Sequence, residues 1–111
     1  MPTKNPAEPF ARISVTEAHE MMGEDDVVVI DVREPNEYSA GHVPGATLIP
    51  VNSVFARKDE IPRDKDIIFV CGVGQRSALA CEMAAAAGLS RLFNLEGGTE
   101  GWIKAQLPVE K

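Results

Sequence analysis

The heptapeptide Cys71-Gly72-Val73-Gly74-Gln75-Arg76-Ser77 holds the residues of this 111-residue chain best suited to chemistry. It follows the apolar run Ile67-Ile68-Phe69-Val70 and opens into an alanine-rich stretch, Ala78 to Ala87, that ends at Gly88. That is the order strand, loop, helix. A cysteine there sits where inward-turned backbone N–H groups and the positive end of a helix favour thiolate over thiol. Cys71 is therefore expected to have a lowered pKa and to act as a nucleophile. Gly72 and Gly74 suit a loop that curls its amides around one atom, because side chains obstruct such backbone conformations. Arg76 falls in the first helical turn, a poor match to the helix dipole, which points to an anion or a carboxylate as its partner.

Four separated pieces of the chain resemble the rhodanese-like sulfurtransferases. They are Asp31-Val32-Arg33-Glu34 with Glu37-Tyr38, then Gly41-His42-Val43-Pro44-Gly45-Ala46, then Cys71 through Ser77, then Leu95-Glu96-Gly97-Gly98 with Trp102. They stand in the family's order and cover most of the chain from about Ile13 onward. The resemblance implies a single α/β domain that carries sulfur as a persulfide on Cys71. In that reading the thiolate attacks the outer sulfur of a donor such as thiosulfate and expels sulfite, which needs no proton, so no general acid is required. The amides of Gly72, Val73, Gly74, Gln75, Arg76 and Ser77 would stabilise the new outer sulfur until a thiol or cyanide removes it. Arg76 would attract the donor anion. Asp31 and Arg33, at the pocket edge, are candidates for substrate contact or for an ion pair that holds the loop. No cofactor is implied.

Two rival functions carry different chemistry. A cysteine-dependent phosphatase also rings an oxyanion with amides and an arginine, but its family pattern places five residues between cysteine and arginine and a histidine before the cysteine. Here four residues separate Cys71 from Arg76, and Val70 precedes. The other rival is a sulfur-relay or regulatory protein-binding module with little turnover; non-catalytic rhodanese-like domains commonly have the cysteine replaced, and the presence of Cys71 argues against an inactive copy.

The surrounding elements must bring these pieces together. Residues 1–10 read as an extended N-terminal segment and 11–111 as the rhodanese-like domain. Phe10 to Ile13 suggests a short strand, and Ser14-Val15-Thr16-Glu17 has the form of a capping box that starts a helix running to about Met22. Val27-Val28-Val29-Ile30 is a β-branched run without alternation, which suits a strand buried on both faces. A short helix from Glu34 to about Ala40, a strand at Thr47-Leu48-Ile49 and a helix from Val51 to Ile61 are expected next. Leu92-Phe93-Asn94-Leu95 gives a further strand, and Thr99 is placed as the cap of a last helix carrying Trp102. Strands alternating with helices imply a mostly parallel central sheet with helices on both faces. In such a sheet ligands bind beyond the strands' carboxyl ends, where Asp31 to Glu34, Pro50-Val51, the Cys71 loop and Glu96 to Thr99 should meet.

Composition narrows the partners. Seventeen acidic residues against 11 basic ones give a formal charge of -6, which disfavours nucleic acid and anionic membrane. The expected partners are a small-molecule sulfur donor, a thiol acceptor and a protein that takes up the sulfur. The N-terminus lacks the apolar core of a secretory signal, so a cytoplasmic location is expected. Cys81 should lie within the helix that follows the loop, poorly placed to bridge to Cys71, and reads as a packing residue. His42 is expected to fix a turn, His19 to lie on a helix surface, and no metal signature is present.

Overall fold

A computed structural model describes residues 2–111. Its centre is the strand that ends at the cysteine. Asp66–Val70 pairs in parallel with Val27–Asp31 on one side and Leu92–Leu95 on the other. Side chains alternate across a strand. Ile67, Phe69 and Cys71 accordingly enter one hydrophobic cluster, and Ile68 and Val70 the other. Val27 and Val29 enter the second cluster, and Val28 and Ile30 the first. Both faces of each strand are thereby filled, the reason these segments carry apolar residues without a break.

In chain order the strands are β1 Thr3–Lys4, β2 Ala11–Ile13, β3 Val27–Asp31, β4 Thr47–Leu48, β5 Asp66–Val70 and β6 Leu92–Leu95, and the α-helices are α1 Val15–Met21, α2 Pro35–Ala40, α3 Gln75–Ala86 and α4 Gly98–Lys104. Among the described residues they form one six-stranded sheet of order β1-β2-β6-β5-β3-β4. Every pairing is parallel except β1 with β2. Ala80, Cys81 and Ala84 of α3 pack in the first cluster, and Ala18 of α1 and Trp102 of α4 in the second. The expected α/β architecture, mostly parallel with helices on both faces, is the one observed.

Local expectations fared differently. The capping box is present: the Glu17 amide donates to Ser14 Oγ at 3.1 Å and the Ser14 amide to Glu17 Oε1 at 2.8 Å. The expected helix over 51–61 is instead two single 3₁₀ turns, Val51–Ser53 and Lys58–Glu60. Its start is tied to the sheet, the Val51 amide donating to Val32 O at 3.0 Å. The three-residue period then buries Val51 and Val54 together. Thr99 does not cap α4, because Gly97 holds that position and Thr99 lies buried in the first turn. The buried Trp102 indole donates to Pro108 O at 2.7 Å, His42 holds Tyr38 O through Nδ1 at 2.8 Å, and His19 is exposed.

Candidate active site

Cys71 stands one residue beyond β5, where three neighbouring segments are pinned to it. The Val32 amide donates to Val70 O at 2.9 Å, the Thr99 amide to Cys71 O at 2.7 Å and the Glu100 amide to Gly72 O at 3.1 Å. The β3 end, the cysteine loop and the start of α4 therefore form one edge. These contacts need bare backbone. A Cβ on Gly98, whose φ is +62°, would lie 2.3 Å from Gly72 O, and one on Gly74, at φ +100°, would lie 2.5 Å from Glu96 O. Gly74 is the left-handed residue before α3, and it turns the chain so that its own amide faces the sulfur. Gly72 needs no such conformation; a Cβ there would meet Arg76 Nη2 at 3.4 Å and Glu100 Oε2 at 3.9 Å, at the mouth of the loop.

The Gly74 N–H donates to Cys71 Sγ at 3.1 Å, and Ser77 Oγ lies 3.4 Å from the same sulfur. Burial pushes the Cys71 thiol up, but the Ser77 hydroxyl and the amides of Ser77, Gly74 and Val73 outweigh it, leaving the thiol below its ordinary range. Cys71 is only 1% exposed. Val73 forms the loop's exposed apolar tip, and Gln75 is exposed at the first position of α3. Cys81 shows the opposite case. It is fully buried on the sheet-facing side of α3, where burial pushes its thiol far up, and both cysteines are free.

Arg76 has a carboxylate partner. Its Nη1 and Nη2 donate to Glu37 Oε1 at 2.7 Å and Oε2 at 3.0 Å, and Glu37 Oε1 also accepts from the Glu34 amide at 3.0 Å. Arg76 first and the Glu34 amide second hold the Glu37 carboxyl down to about 2, against burial. Asp31 and Arg33 face each other rather than the sulfur. Arg33 Nε and Nη2 donate to Asp31 at 2.8–3.0 Å, and Nη2 also donates to Gly41 O at 2.8 Å. With Asp31 fully buried and Arg33 7% exposed, this pair braces the end of β3 against the turn after α2.

Asn94 was missed by sequence reading. It shares the α3-facing side of β6 with Leu92 and is fully buried. Its Oδ1 accepts the Ser77 hydroxyl, while Nδ2 donates to Gly74 O at 3.2 Å and to the Glu96 carboxylate. The signal available was a lone amide in an otherwise apolar strand. A buried amide requires partners, and here they are the groups that shape the cysteine loop.

The rhodanese-like domain family matches residues 14–105 of this chain. The chain belongs to that family. A protein named sulfurtransferase from Allochromatium vinosum is 36% identical over 85 residues, covering 77% of this chain and 79% of that one. A thiosulfate sulfurtransferase GlpE from Pseudoalteromonas translucida is 32% identical over 93 residues, covering 84% and 89%. The crystal structure of a rhodanese-related protein from Thermoplasma volcanium superposes with a TM-score of 0.81 at 31% identity, covering 89% of this chain and 96% of that one.

Proposed function

We propose that this chain is a sulfurtransferase that moves a sulfane sulfur from thiosulfate or a persulfide donor to a thiol or cyanide acceptor through a persulfide on Cys71. The observation that carries the reading is the Gly74 amide donating to Cys71 Sγ at 3.1 Å, at the N-terminal end of a 12-residue helix. That arrangement favours a sulfur anion, whether thiolate or persulfide. As the thiolate attacks, an S–S bond to Sγ forms while the bond between sulfane sulfur and sulfite breaks. The electron pair leaves with sulfite. The loop amides from Gly72 to Ser77 receive the outer sulfur, with Arg76 held beside them on Glu37. A reducing compartment such as the cytoplasm would keep the Cys71 thiol available.

The 1% exposure of Cys71 favours a second reading, a relay or regulatory module that opens to a protein partner and turns over small molecules slowly. Incubation with thiosulfate should add the mass of one sulfur to the Cys71 peptide, and cyanide should remove it with release of thiocyanate. Cys71→Ser should abolish transfer while Cys81→Ser retains most of it. Loading without multiple turnovers would select the relay reading; no loading from thiosulfate or a persulfide would reject both.

A further inference from the structure

The loop's one basic residue is already occupied. Both terminal guanidinium nitrogens of Arg76 lie on the Glu37 carboxylate, at 2.7 and 3.0 Å, and that carboxylate is ionised throughout the neutral range. Glu100 reaches the same mouth, its Oε2 3.9 Å from the position a Cβ on Gly72 would take. Arg33, the next cation along this edge, is buried on Asp31. Arg76, Glu37 and Glu100 thus leave a net negative charge around the opening, in a chain whose formal charge is already -6. An incoming dianion meets repulsion that a single guanidinium, shared with a carboxylate, does not offset.

We propose that Glu37 is a specificity-determining residue, a charge filter that neutralises Arg76 and turns the Cys71 loop away from dianionic sulfur donors toward donors with one negative charge or none. This rests on the sulfurtransferase reading and narrows its donor class. The step is the same for both donor types. The Cys71 thiolate takes the sulfane sulfur, and sulfite leaves from thiosulfate, or methanesulfinate from methanethiosulfonate, each with the electron pair of the broken S–S bond. No proton, oxidant or reductant is needed.

The contact suits a clean substitution. Gln at position 37 can still accept from the Glu34 amide, as Gln does at this position in capping boxes, so α2 keeps its first-turn hydrogen bond while the charge is lost. Wild type and Glu37→Gln should be compared in two ways. The first is the rate of Cys71 alkylation by anionic iodoacetate relative to neutral iodoacetamide, read on the Cys71 peptide. Iodoacetamide controls for thiol reactivity and folding, and no sulfur chemistry is involved. Glu37→Gln should raise the iodoacetate to iodoacetamide ratio roughly fivefold at low salt, an effect that shrinks as salt is added. The second is kcat/KM for thiosulfate relative to methanethiosulfonate, which should rise in the variant through a lower KM for thiosulfate, with kcat little changed. An unchanged or lower alkylation ratio overturns the charge filter. If the alkylation ratio rises but the donor ratio does not, the donor preference is overturned. If wild-type Cys71 takes sulfur from neither donor, the sulfurtransferase reading falls, and the donor preference with it, while the alkylation ratio still reports whether Glu37 screens the thiol.

Discussion

Ser77 has one hydroxyl proton and two claims on it. The Asn94 amide nitrogen faces Gly74 O and the Glu96 carboxylate, neither of which can donate, so Asn94 Oδ1 must face Ser77 and accept from it. While Cys71 is a thiol, its S–H can donate to Ser77 Oγ at 3.4 Å and Ser77 can donate to Asn94. Once the sulfur ionises it needs donors, and the hydroxyl must swing from Asn94 to join the Gly74 amide. Removing that hydroxyl should destabilise the thiolate. Ser77→Ala is therefore expected to move the midpoint of the pH profile for Cys71 alkylation upward; an unmoved midpoint would leave the backbone amides as the whole cause. Cys71, Arg76 and Ser77 were legible because they adjoin one another on a loop. Asn94 was not, since its role depends on a residue 17 positions earlier that the sheet brings opposite it. The choice for Arg76 between a bound anion and a carboxylate was also open in the sequence, because Glu37 lies 39 residues away.

At the scale of elements, the loop is shaped by how closely backbones approach. Gly74 before α3 touches the Glu96 carbonyl after β6, and Gly98 at the start of α4 touches the Gly72 carbonyl, so loop and helix start interlock without side chains between them. Gly74→Ala sets a Cβ 2.5 Å from Glu96 O on a backbone at φ +100°. It should cost at least about 2 kcal/mol of stability. A lowered midpoint in thermal unfolding, together with slower Cys71 alkylation as the amide turns from the sulfur, would show the interlock. The long helix α3 was plain in the sequence because small residues at Ser77, Ala80, Cys81 and Ala84 bury one face against the sheet. The segment after β4 was not. Its apolar residues fit a helix pattern, yet the link from the Val51 amide to Val32 and the local pairing of Arg57 with Glu60 favour separate tight turns. Thr99 was misplaced for a similar reason: its amide is committed to Cys71 O, and α4 begins two residues earlier than a Thr99 cap would place it, at the left-handed Gly98.

For the molecule as a whole, two clusters on opposite faces of one sheet divide the labour. The α3 face carries the sulfur and its polar supports, and the α1 and α4 face carries Trp102, the largest fully buried side chain. That division was readable because β3 and β5 carry unbroken apolar runs, Val27 to Ile30 and Ile67 to Val70, across the middle of the sheet. A short segment at the margin carried no such pattern: Thr3 and Lys4 are polar and exposed, and only the third dimension shows them hydrogen-bonded as a strand.

The antiparallel partnership of Thr3 with Arg12 and Lys4 with Ala11 shields the outer rim of β2. A rim of unpaired amides and carbonyls is a template on which a second chain can zip itself. Deleting residues 2–9 would bare that rim and also remove the Glu8 carboxylate that fastens Arg12. The shortened protein should then self-associate as its concentration rises, visible as growing light scattering and faster sedimentation, whereas a chain that stayed monomeric would show that the two-residue strand is no guard. A two-residue strand at the sheet's edge thus contributes to colloidal behaviour rather than to catalysis.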